Sequence, residues 1–217
     1  MAAELRKRRV FQPWEEPPRQ LIEYTALRGV MKSGDILRFR STCPLGRAIE
    51  FFRPGGSHAA VCWRTRIALN TGEVVTRIDM AEANARGFVP RRLSTVLAGV
   101  QGRVYYHQLP TAEPQEDVCA IEIDNMIKGD IAYNYPQLFA LMFYHPRIQY
   151  REDICSEGAV RSAVKAGVIE KLDWCPTPAD LVGLPGACFE IDLASVRQCI
   201  ENRKAKGKAA FREPRKG

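Results

Sequence analysis

Two runs of strand-forming residues on either side of one polar turn constrain this chain most. His58-Ala-Ala-Val-Cys-Trp63 and Glu73-Val-Val-Thr-Arg-Ile-Asp-Met80 are separated by a stretch that includes Asn70-Thr-Gly72. β-Branched and aromatic residues flanking a turn of that composition predict a long antiparallel hairpin. Further strands are expected at Ile36–Phe39, Gly87–Val89, Gly102–His107 and Phe189–Leu193. Apolar residues recur at helical spacing from Leu45 to Phe52, Pro114 to Lys128, Cys155 to Ala166 and Ala194 to Arg203. Ile22 to Met31 leads into the first strand, Tyr135 to Tyr144 reads as an aromatic helix or loop, and 176–183 as a turn with a short helix. With no internal repeat, this reads as one domain of mixed strands and helices over 21–202. A basic, proline-rich arm at 1–20 and a basic tail at 203–217 flank it.

Of the 217 residues, 46% are hydrophobic and 26% charged, the balance of a globular chain. No apolar run approaches the roughly 18 residues of a membrane span. The basic cluster Arg6-Lys-Arg-Arg9 has no apolar segment behind it, so no signal peptide is expected. That implies a cytoplasmic protein, unless a virion or another machine carries it out. The net charge of +7 is concentrated at the two ends, in Arg6–Arg9 and in Arg203 to Lys208 with Arg212, Arg215 and Lys216. No nucleic-acid motif accompanies it, so solvated tails are the expectation. The seven cysteines, at 43, 62, 119, 155, 175, 188 and 199, form an odd set with no CxxC pair. Disulfides are not expected, and with three histidines the spacing offers no four-ligand zinc site and implies no cofactor.

Two residues stand out chemically. Cys155 opens a helix in Arg151-Glu-Asp-Ile-Cys-Ser-Glu-Gly158, with Asp153 a candidate cap and Gly167 a natural stop. A thiol there meets unsatisfied N–H groups and the positive end of the helix dipole, and both favour the nucleophilic thiolate. His58, opening the hairpin, could accept and return its proton. Glu157 in the first turn suits the dipole while opposing a thiolate beside it.

In order along the chain stand Ser33-Gly-Asp-Ile-Leu37, Gly56-Ser-His-Ala-Ala-Val61, Met80-Ala-Glu-Ala83 with Gly87-Phe-Val89, Tyr133-Asn134, Ile154-Cys-Ser-Glu157 and Thr177-Pro-Ala-Asp-Leu181. This succession resembles the circularly permuted papain-fold cysteine hydrolases, the YiiX/YebB-like branch of the NlpC superfamily, over residues 33 to 183. The resemblance implies an α+β fold, circularly permuted papain-like (NlpC-type), with a small antiparallel sheet packed on the helix that bears the nucleophile. It implies Cys155 as nucleophile and His58 as base, with Ser57 and Tyr133 on the substrate side. Tyr133 is equally well read as a core tyrosine, and Asn134 stands where the branch usually has Asp.

The resemblance also implies a third member, a polar residue on the strand after the histidine that orients the imidazole, for which Glu73, Asp79 and Glu82 are the candidates. With the turn centred near Asn70-Thr71, paired numbers sum to about 141, so the partner of His58 falls near 83. That favours Glu82, keeps Asp79 in reserve for the case of a bulge, and excludes Glu73.

Two functions of different class follow. One is a cysteine hydrolase acting through a thioester on a peptide, amide or lipid acyl substrate, such as a cell-wall peptide. The other is a catalytically silent structural or binding module on the same fold, such as a virion component. The residues do not choose a substrate, a bond or an oligomeric state.

Overall fold

A computed structural model describes residues 19–52, 55–84, 87–129, 132–133, 152–153, 155–172 and 176–212. Residues 1–18 of the N-terminal arm and the Tyr135–Tyr144 segment lie outside the described residues.

The chain forms β1 (Leu21–Glu23), α1 (Tyr24–Val30), β2 (Ile36–Ser41), α2 (Pro44–Phe52), β3 (His58–Ala68), β4 (Val74–Asn84) and β5 (Gly87–Arg92). There follow α3 (Leu93–Gly99), β6 (Gly102–Gln108), α4 (Glu113–Lys128), β7 (Ala132–Tyr133) and β8 (Glu152–Asp153). α5 (Cys155–Lys165), a short 3₁₀ turn (Asp180–Gly183), β9 (Ala187–Asp192) and α6 (Leu193–Arg212) complete it. Seven strands make one sheet in the order β1-β9-β6-β2-β3-β4-β5, and β7 pairs with β8 apart from it. Every neighbouring pair in the large sheet is antiparallel except β1 with β9, which is parallel.

The architecture is α+β, as expected, but the sheet is neither small nor wholly antiparallel. Its seventh strand comes from residues 21–23, read above as part of a lead-in segment. Three residues are too few to show a period of two, and their partner is Glu190–Asp192 at the far end of the chain. α3 was also missed, because Leu93-Ser-Thr-Val-Leu-Ala-Gly99 is too short for a clear helical repeat. α6 runs through the boundary drawn at 202/203.

Both faces of the sheet are covered. On one, Leu37, Phe39, Ala60, Cys62, Met80, Val104 and Tyr106 pack under Tyr24 and Leu27 of α1, Leu93 and Leu97 of α3 and Val196 of α6. On the other, Ile36 and Ala59 meet Ala159, Val160 and Ala163 of α5, while Val61, Ala81 and Phe88 meet Ile123 and Met126 of α4. α5 lies close because its inner face is small: a Cβ on Gly158 would stand 2.7 Å from Phe88 Cε2. α5 therefore runs pressed against β3, with its first residue near the start of that strand.

The Ser33-Gly-Asp35 turn fixes β2. Asp35, fully buried, accepts hydrogen bonds from the Lys32 N–H (2.8 Å), the Leu109 N–H (3.0 Å) and the Tyr106 hydroxyl (2.5 Å). Burial outweighs those bonds and raises its carboxyl to about 6. Gly34 takes the positive φ of 96° that this turn requires.

Candidate active site

The hairpin register decides which side chains share a face with His58. In the β3–β4 ladder paired numbers sum to 142, from Val61↔Ala81 to Ala68↔Val74, because the turn closes with Leu69 N–H on the Glu73 carbonyl. The turn centre is thus Thr71, half a residue beyond the expected point, and the sum is one higher than about 141. The difference matters, since a shift of one exchanges the two faces of β4. With the observed register Glu82 shares the face of Ala60 and His58, and Asp79 pairs with Trp63 on the opposite face. Asp79 is engaged there by Arg77, whose Nε lies 2.6 Å from Oδ2. A sum of 141 would have put Asp79 on the face of His58 instead.

His58 Nε2 lies 2.7 Å from Glu82 Oε2. The other ring nitrogen, Nδ1, remains for Cys155, whose thiol is hydrogen-bonded to the His58 side chain. Cys155 is the first residue of α5, on the opposite side of the sheet from the Glu82 face. The two layers meet because the β3–β4 ladder begins only at Val61↔Ala81. The Cys62 N–H points to β2, onto the Asp35 carbonyl, so by alternation the Ala59 N–H points toward β4. In place of a β4 carbonyl it meets the Cys155 sulfur, which also accepts the Ser156 N–H.

The electrostatics follow. Burial alone would raise the Cys155 thiol, but the His58 charge, the His58 hydrogen bond and the two backbone N–H groups reverse this and bring it below its ordinary value. Burial likewise works against a charged His58, whose side chain is 29% exposed. The Cys155 charge and hydrogen bond, followed by those of Glu82, override it and raise the imidazole to about 10. Glu82 has the same balance: burial raises its carboxyl, and His58 and then Arg91 lower it. Arg91 Nη1 donates to Glu82 Oε1 at 2.8 Å. Each of these shifts favours the charged form: thiolate for Cys155, imidazolium for His58 and carboxylate for Glu82.

Ser57 faces elsewhere. Its hydroxyl accepts the Ser41 N–H at 3.0 Å and donates to the Phe39 carbonyl at 3.2 Å, tying the end of β2 to the start of β3. The Tyr133 side chain lies outside the described residues, and its backbone pairs with Asp153, two residues before Cys155. That pairing puts Asp153 in β8, and its side chain, the candidate cap, is likewise outside the described residues.

Arg91 and Arg38 were missed by sequence reasoning. Arg91 is opposite Met80 and so on the Glu82 face, a signal readable only once the β4–β5 register is known. Arg38, fully buried, stacks over the Tyr105 ring at 4.2 Å and donates to the Gly55 carbonyl, in the turn that delivers His58. Its Nε lies 3.4 Å from Nε2 of His107. Burial first, then Arg38 and Arg19, holds that imidazole neutral, with its pKa lowered to about 3. Gly56 is needed there, since a Cβ would meet Pro178 at 2.9 Å and Arg38 at 3.1 Å.

Among the described residues no group of three or more His, Cys, Asp or Glu could hold a metal ion. Among the described residues, too, no helix is long and apolar enough to cross a membrane.

No family model and no curated protein matches the chain. Among solved structures, the chain is similar to the crystal structure of metalloprotein yiiX from Escherichia coli O157:H7, at 14% identity and a TM-score of 0.48, over 74% of this chain and 88% of that one.

Proposed function

We propose that this protein is a cysteine hydrolase of the circularly permuted papain type, with Cys155 as nucleophile, His58 as general acid and base, and Glu82 as the group that orients the imidazole. The observation that carries the reading is the Cys155–His58 hydrogen bond backed by Glu82 Oε2 at 2.7 Å from Nε2. A thiol with a depressed pKa, set at a helix start and against an imidazolium, is the state a covalent acyl-transfer enzyme needs.

The thiolate attacks an acyl carbonyl, and the C=O π pair moves to oxygen. The backbone N–H of Cys155, at the helix start, is the donor available to that oxyanion. Collapse of the tetrahedral adduct expels the amine or alkoxide, which takes the proton from His58 Nδ1 and leaves a thioester. Neutral His58 then removes a proton from water, the hydroxide adds to the thioester carbonyl, and the thiolate departs with the imidazolium restored. Glu82 keeps the Nε2 proton in place throughout, so that Nδ1 faces the chemistry. Peptide, amide and lipid acyl substrates all satisfy these steps.

The small exposure of Cys155, a residue 4% accessible, favours a second reading as a binding module that carries the constellation silently. One experiment separates the two. A brief iodoacetamide pulse at pH 6, followed by peptide mass spectrometry, should alkylate Cys155 ahead of exposed Cys43. Hydrolysis of an activated acyl ester should vanish in Cys155→Ala. Equal labelling of the two thiols, with ester turnover retained in the variant, would rule out the enzyme.

A further inference from the structure

We infer that Arg91 is a positioning residue of this site, holding Glu82 anionic and correctly turned so that His58 keeps its base nitrogen toward Cys155; the inference rests on the cysteine-hydrolase reading. Glu82 is a carboxylate whose side chain is only 8% exposed, set at the end of a covered sheet. Each of its oxygens has a different donor: Oε2 faces His58 Nε2 at 2.7 Å, and Oε1 faces Arg91 Nη1 at 2.8 Å. The register makes this arrangement possible. Glu82 pairs with Val89 and Met80 with Arg91, so Arg91 is the diagonal neighbour of Glu82 on one face of β4–β5. Its side chain is 52% exposed, so the cation reaches the carboxylate from the solvent side and needs no burial of its own.

The chemical consequence lies in the His58 tautomer. An ionised Glu82 only accepts, so Nε2 must carry a proton and Nδ1 of the neutral ring is the free base. A protonated Glu82 would donate to Nε2 instead. The ring proton would then sit on Nδ1, facing the sulfur, and neutral His58 could no longer accept the cysteine proton there. Burial pushes Glu82 toward that protonated form, while His58 and Arg91 act against it. Arg91 is the one of those two cations that is not consumed in the reaction. It also fixes the carboxylate's rotation, since each oxygen is tied to a different strand.

The test is the pH profile of Cys155 alkylation by iodoacetamide, a neutral probe that the Arg91 charge does not attract, in wild type, Arg91→Gln and Arg91→Lys. In Arg91→Gln the acid limb should move up by about one pH unit, so that labelling there slows about tenfold. Arg91→Lys, which keeps the charge and loses the planar fork, should fall between the two. An Arg91→Gln profile that superimposes on wild type overturns the inference, as does an Arg91→Lys limb shifted as far as that of Arg91→Gln. A wild-type chain in which Cys155 labels no faster than Cys43 strikes the hydrolase reading instead, so the two failures are distinguishable.

Discussion

The backbone N–H of Ala59 donates to the sulfur of Cys155. A strand therefore lowers the Cys155 pKa as the helix that carries the residue does, through one backbone N–H each. Ala59 is paired with Arg38 of β2, so its amide is held in a strand and delivers its dipole without a mobile side chain. The hydrogen bond forms only because the β3–β4 ladder starts at Val61↔Ala81, two residues further along β3.

Cys155→Ser should lower the titration of His58. Burial depresses that imidazole, and the Cys155 charge is the leading influence in the other direction, carrying it to about 10. A serine hydroxyl keeps a similar shape and stays protonated. The His58 ring resonances, followed by NMR across pH, should then titrate more than about one unit lower than in wild type. An unchanged midpoint would mean that the sulfur is not ionised in the wild-type pair.

Labelling and turnover should diverge at high pH. The Cys155 pKa is lowered, so its thiolate persists from the acid limb upward and alkylation stays fast above pH 10. His58, raised to about 10, loses its proton there and can no longer protonate a leaving group, so hydrolysis should fall. The sign of the stability contributions follows. That of His58 is fully present below its ordinary 6.5 and is lost as pH rises through about 10. That of Cys155 is present above its ordinary 9.0 and is lost as pH falls through its depressed value. Parallel loss of alkylation and hydrolysis above pH 10 would contradict the pairing.

Glu82→Gln should reduce turnover by about 10²–10⁴-fold while the fold persists, because the amide keeps a hydrogen-bonding group and loses the charge that steadies the imidazolium. Asp79→Asn should cost much less, since Asp79 engages Arg77 on the other face of β4. Steady-state rates of the two variants on one ester decide the matter. The reverse order of damage would mean that Asp79 supports the ring.

Gly158→Ala should loosen α5. The added methyl would meet Phe88 Cε2 at 2.7 Å, and Phe88 is itself buried against α4. Overpacking of this kind costs about 1–3 kcal/mol, readable in a urea titration. Because Cys155 lies one turn away on the same helix, Cys155 alkylation should slow as well. A variant as stable and as reactive as wild type would show that β5 yields freely.

The parts of the site that depend on local pattern were legible in the chain. Asn70-Thr-Gly72 between β-rich runs announced the hairpin, and Cys155 followed by Ser-Glu-Gly announced a helix start, because turn chemistry and helix ends are written in neighbouring residues. The choice of Glu82 also came from the sequence, but by way of a turn centre that was off by half a residue. Taken strictly, that centre would have turned Asp79 toward His58. What could not be read was set by pairing across distance. Arg91 matters only because β5 places it diagonal to Glu82, and Arg38 only because β6 brings Tyr105 and His107 beside it. Ser57 shows the opposite limit. Standing next to His58 in sequence, it points its hydroxyl into the β2 end, as adjacent strand residues do.

The parallel pairing of β1 with β9 ties residues 21–23 to 190–192. It makes the sheet's outermost contact also one of its least local, so closing that edge means restricting almost the whole intervening chain at once. The β2–β3–β4 hairpins can form early from neighbours, whereas α5, which brings Cys155 to them, comes some seventy residues after β4. By sequence separation, Cys155 reaches a sheet that local pairing can already have built around His58. A chain with only β2 to β4 paired would hold His58 and Glu82 on neighbouring strands before Cys155 joined them.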